Sequence, residues 1–104
     1  MIYELRTYQL HINGIPKFND LVKNGMVPVV SDYGLAPLGM WHTEIGPLNE
    51  VVHLWAYNDL NERREKWARA DQDERRQKLL DELDSVIIKM DNKIMTPFEF
   101  SPMQ

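Results

Sequence analysis

Five residues of this 104-residue chain have the types and spacing for chemistry: Glu4, Arg6, His42, Glu44 and His53. Two histidines and a carboxylate are the ligand types of a two-His, one-carboxylate metal centre. Either histidine also suits a general base, because its ordinary pKa lies near physiological pH. Arg6 suits an anionic group, since its planar guanidinium makes paired hydrogen bonds to carboxylates and phosphates. The same arginine argues against a bound cation, because it fixes a positive charge among the would-be ligands. An enclosed Arg6 balanced by Glu4 or Glu44 accounts for these residues without an ion. No stoichiometric metal and no cofactor are therefore expected. With no cysteine in the chain, disulfides, thiol catalysis and sulfur-ligated zinc are excluded. Nucleophile elbow, Gly-rich phosphate loop and HExxH are all missing.

The elements that must position these groups follow from periodicity. Ile2 to His11 alternates with period two and reads as a strand. Asn13-Gly14 turns the chain, and Pro16 suits the first turn of a helix. Leu21, Val22, Met26, Val29, Val30 and Tyr33 recur at spacings of three and four, one face of a helix ending at Gly34. Pro28 lacks an N–H and predicts a kink or break between Gly25 and Pro28. Leu38 to Ile45 and Glu50 to Tyr57, separated by Gly46-Pro47-Leu48-Asn49, read as a hairpin. Asp59 with Glu62 forms a capping box for a second helix. Its buried stripe is expected at Leu60 and Trp67, then Leu79, Leu80, Leu83 and Ile87, and a second piece could begin near Asp71 and Glu74. Acid-first pairs four apart (Glu62 with Lys66, Glu65 with Arg69, Asp71 with Arg75, Glu74 with Lys78) suit a solvated face. A last strand is expected from about Val86 to Thr96.

The order β-α-β-β-α-β is the ferredoxin-like, split-βαβ pattern: an α+β fold with a four-stranded antiparallel sheet. One domain spans 1–104. An even turn centred between Pro47 and Leu48 pairs residue i with residue 95−i, opposing His42 to His53 and Trp41 to Leu54. One sheet face then carries Thr43, Ile45, Val52, Leu54 and Ala56, apolar enough for helices to pack on, with Trp41 in the core. The other carries His42, Glu44, His53, Trp55 and Tyr57, joined by Glu4, Arg6 and Tyr8. This polar, aromatic face resembles an interface core in composition, and the expectation is that a second copy's sheet covers it.

Sixteen acids against twelve bases leave a net charge of −4, which argues against nucleic acid as a partner. The apolar runs are far shorter than the ~20 residues of a membrane span. The first residues lack the features of a signal or transit peptide. A cytoplasmic protein without membrane insertion is expected.

Residues 39 to 57, GMWHTEIGPLNEVVHLWAY, resemble the signature of the NIPSNAP family. The matching positions are Trp41, Thr43, Glu44, Ile45, Gly46, Asn49, Val51, Val52, His53, Leu54, Trp55 and Tyr57. The opening YELRTYQL and the closing Phe100-Ser101-Pro102 are similar to the family's two ends. The resemblance implies a dimeric α/β barrel, in which two ferredoxin-like subunits stack sheet to sheet. No enzymatic activity is settled for that family, and its wider superfamily includes small cofactor-free monooxygenases and isomerases. The expected function is an interaction or small-ligand-binding module, working as a homodimer. The alternative is a small cofactor-independent enzyme, monooxygenase- or isomerase-like, with a pocket beside the sheet. The catalytic candidates are His42, His53 and Arg6, and the candidate ligand contacts are Tyr8, Trp41, Glu44, Trp55 and Tyr57.

Overall fold

A computed structural model describes residues 1–104. The chain runs β1 (Ile2–Leu10), α1 (Ile15–Leu21), a π-helical turn (Val22–Met26), α2 (Val27–Ser31), β2 (Pro37–His42) and β3 (Glu50–Tyr57). It continues through α3 (Leu60–Asp71), α4 (Glu74–Asp84) and β4 (Ile87–Met95). The four strands form one open antiparallel sheet in the order β2-β3-β1-β4. The fold is the expected ferredoxin-like α+β class, with each helical segment divided in two.

Both divisions have local causes. Pro28 cannot donate to the turn before it, and the preceding residues widen into a π-turn in which the Val27 N–H reaches Val22 O. Gly25 lies within this turn against α4. A Cβ there would come within 2.5 Å of Leu79 Cδ2, so a small residue permits the close approach. The second division is capped by Asp73, whose carboxylate accepts from Arg75 N.

At the start of α3 the Asp59 side chain accepts from Glu62 N at 2.8 Å, and the Glu62 carboxylate reaches back to Asn58 N. Asp59→Ala is expected to cost about 1 kcal/mol, the usual worth of an N-cap. Asp59→Asn should restore most of it. Urea midpoints of the two variants check this. Of the expected helical ion pairs, Glu62–Lys66 forms at 2.7 Å. Asp71 instead pairs with Arg76, and Arg75 bridges Asp73 and Asp32.

The hairpin departs from the expected register by two residues. Met40 opposes His53, Trp41 opposes Val52, and His42 opposes Val51 rather than His53. Strand β2 stops at His42, and Thr43 closes the loop by bonding the Glu50 backbone at 3.0 Å and the Glu50 carboxylate at 2.5 Å. The intervening segment bends at Gly46 and Asn49, both at positive φ, so the connection is longer than a tight turn. A shift of two preserves which residues share a face.

The faces themselves are exchanged relative to expectation. Along β3, Val51, His53, Trp55 and Tyr57 are buried, whereas Val52, Leu54 and Ala56 are only partly covered. The helices pack on the side bearing Glu4, Tyr8, His53, Trp55 and Tyr57. Phe18, Val22, Leu83 and Val86 cover Tyr8, Leu10 and Val51. Val30, Leu35 and Ala70 cover Trp55 and Tyr57. Burying these rings removes far more apolar area than burying Val52 and Ala56 would. The open face carries Tyr3, Leu5, Val52, Leu54 and Trp41, the last 55% exposed instead of in the core. Leu60 and Leu80 also lie outward, at 61% and 43% exposed.

Candidate functional site

The centre of the site is Glu4, a fully buried carboxylate in the middle strand β1. Arg63 on α3 grips it with two bonds, Nε to Oε1 at 3.1 Å and Nη2 to Oε2 at 2.9 Å. The Tyr57 hydroxyl donates to Oε1 at 2.7 Å, and Asn92 Nδ2 donates to Oε2 at 2.8 Å. Arg6 Nε lies 3.2 Å from Oε2. Burial alone would push the Glu4 carboxyl up, but Arg63, Asn92, Tyr57 and Arg6 outweigh it and hold it near 2. Burial pushes the Tyr57 hydroxyl up to about 12, so it stays a donor to Glu4 while accepting Trp67 Nε1 at 2.8 Å.

Arg6 leans from this network onto aromatic rings. Its guanidinium carbon is 4.4 Å from the Trp67 ring centre and 5.8 Å from that of Trp55. Arg76 approaches Trp67 as well, at 5.1 Å. The two tryptophans meet edge to face at 5.2 Å. His53 sits one step along the sheet with its ring 5.0 Å from Tyr8 and 5.6 Å from Phe18. Burial first, and then the charge of Arg6, lower its pKa to about 4, so the ring is neutral near pH 7.

Two spaces adjoin these groups. An inner cavity of about 90 Å³ touches Arg6, Tyr8, His53, Trp55, Trp67 and Arg76. An outer groove of about 580 Å³ touches Trp41, His42, Glu44, Lys23 and Val51. Val22, Val27, Met40 and His53 line both, and so separate cavity from groove.

The structure therefore brings together Arg6, Tyr8, His53 and Trp55, with Tyr57 one bond away through Glu4. His42 does not oppose His53 directly, pairing instead with Val51, although both line the outer groove. His42 bonds Glu44 at 2.9 Å on the exposed rim of the groove. No three His, Asp or Glu side chains converge as a metal-binding set. Arg63, Trp67, Arg76 and Asn92 were not among the sequence candidates. Arg63, Trp67 and Ala70 recur at spacings of four and three on α3. That stripe was detectable, but an arginine in it reads as solvated.

A ferredoxin-like sheet with helices on one face and a cavity between the two layers defines the class: a small α+β domain with an internal cavity. The same fold is seen at a TM-score of 0.69 and 13% identity in a crystal structure of an antibiotic biosynthesis monooxygenase, covering 94% of this chain and 99% of that one.

The chain belongs to the NIPSNAP family, whose model matches residues 3–102. It is similar to Atu4242 from Agrobacterium tumefaciens, a nipsnap family protein with unknown function, at 36% identity, a TM-score of 0.92 and full coverage of both chains. It is 31% identical over 103 residues to human Protein NipSnap homolog 2, which covers 99% of this chain and 35% of that protein. This chain thus spans about a third of the length of the curated relatives it matches. No helix is long and apolar enough to cross a membrane.

Proposed function

We propose that this NIPSNAP domain is a small-ligand-binding module that acts as a homodimer. The observation that carries the ligand reading is the inner cavity, where charged and polar side chains stand among apolar walls beside a larger groove. Binding sites are commonly apolar pockets with a few placed polar groups. Binding is favoured over acid–base catalysis by His53, because a base with pKa about 4 is poorly matched to proton abstraction near neutral pH.

The face opposite the helices supports the dimer. Leu5 beside Leu54 and Val52 beside Trp41 make an apolar strip across the three strands β1, β3 and β2. Tyr3 and Met95 extend it toward the C-terminal segment, whose Ser101 and Met103 adjoin them. A second copy laid on this strip about a two-fold axis would bury it in both subunits, with sheets about 10 Å apart.

Native mass spectrometry after gentle purification tests both parts. The expected result is a species of twice the 12.3 kDa subunit mass that releases a small molecule on activation. A bare monomer would overturn the proposal. Leu54→Lys is expected to yield a folded monomer by light scattering, because a charge at this partly covered site is tolerated only if the face is solvated.

A further inference from the structure

Resting on the ligand-binding reading, we infer that the inner cavity takes the carboxylate end of a small organic monoanion, with Arg6, Arg76 and the Trp55 indole N–H as its recognition groups. The cavity is lined by two guanidiniums and no acidic side chain. Around it, Arg6, Arg63 and Arg76 face only two carboxylates, Glu4 and Asp71. One positive charge is left over in a largely buried cluster. His53 is neutral and does not add to that excess.

The hydrogen-bond pattern points the same way. Trp55 is 4% exposed, and its Nε1 is the buried side-chain polar atom of the molecule that has no partner. An orphaned buried donor is destabilising, and an acceptor in the cavity would remove that cost. Arg76 is under-satisfied too: Nε reaches Asp71, but Nη1 meets only the Met26 thioether at 3.6 Å. Thioether sulfur is a weak acceptor. Two residues that line one cavity thus carry donors without good acceptors, beside a surplus positive charge. A carboxylate supplies both the acceptor atoms and the charge.

Size and walls define the rest of the ligand. Benzene fits a cavity of about 150 Å³, so about 90 Å³ holds roughly three to five non-hydrogen atoms. That is a carboxylate with one or two carbons. A longer chain would pass Met40 and Val27 into the outer groove, where Val22 and Val51 offer apolar contact.

The test is titration calorimetry on the full chain with acetate, propionate, butyrate and hexanoate, each against its primary amide, at constant ionic strength. At least one carboxylate is expected to bind tenfold or more tightly than its amide. That ratio is expected to fall at least threefold in Arg76→Gln, and binding of the acid should weaken in Trp55→Phe. Arg76 is only partly covered and is not part of the apolar core, so its variant keeps the test valid should the buried Trp55 variant fail to fold. Equal binding of acids and amides would overturn the anion inference while leaving the ligand-binding reading intact. No binding of either series at millimolar concentration would overturn the inference and count against the reading. A preference unchanged in Arg76→Gln would place the anion elsewhere and overturn the assignment.

Discussion

Glu4→Gln is expected to destabilise the protein by about 3–5 kcal/mol, the cost of removing one partner from a buried ion pair. The isosteric amide keeps the volume but loses the charge. Arg6 and Arg63 are then left facing each other across a neutral group, and the amide nitrogen presents donors to donors. Ordinary domains are stable by only ~5–15 kcal/mol, so this single change removes a large share. Urea unfolding measures it. A companion variant makes the result interpretable: Arg63→Gln in the Glu4→Gln background should recover at least 1 kcal/mol, because it withdraws the unpaired cation. A loss below about 1 kcal/mol, or no recovery, would mean that the network is held by packing and not by charge.

Acidification is expected to weaken the fold in two overlapping steps, the first from His53. Its folded-state pKa of about 4 lies below the ordinary 6.5, so the unfolded chain binds the proton more readily. Stability from a neutral buried His53 is complete above pH 6.5 and is lost as pH falls toward 4. At ~1.4 kcal/mol per pKa unit this is roughly 3 kcal/mol. Glu4 acts lower. Its folded pKa near 2 lies under the ordinary 4.5, so its contribution is complete above 4.5 and is lost between 4.5 and 2. Melting temperatures at pH 7.5, 5 and 3.5 check this. His53→Phe fits the aromatic contacts of Tyr8 and Phe18 and should flatten the profile between 7 and 5 without touching the lower step. Wild-type protein as stable at pH 4.5 as at 7.5 would contradict the burial of a neutral imidazole.

The exchange of sheet faces is the instructive failure of the sequence reading. Alternation separates Val52, Leu54 and Ala56 from His53, Trp55 and Tyr57 correctly, since period two is a property of the pleat. It does not say which set goes inward. Glu4, Arg6 and His53 looked too polar for a core. They are tolerable there because Arg63, Asn92 and Tyr57 satisfy Glu4 from three other elements. Buried polar groups are expensive only when unpaired. The pairing involves residues 53 to 88 positions from Glu4 in sequence, beyond the reach of any local pattern. The register error has a smaller cause: the bend at Gly46 and Asn49 lengthens the loop, and a shift of two leaves no trace in the alternation.

The sequence by itself determined the element order, the break at Pro28, the cap at Asp59, the family, and which residues of β1 and β3 share a face, whereas Thr43, Glu44 and Ile45 lie beyond the end of β2. Those rest on local chemistry: a missing N–H, a short polar side chain before a helix, a two-residue period. Only the tertiary structure decided that the Trp55 face lies under the helices, that His42 opposes Val51 and not His53, that Arg63 grips Glu4, and that Arg76 lines the cavity. Those depend on which distant donors meet which acceptors once the helices have docked, and on the net balance of large buried rings against a charge network that exists only in the folded state.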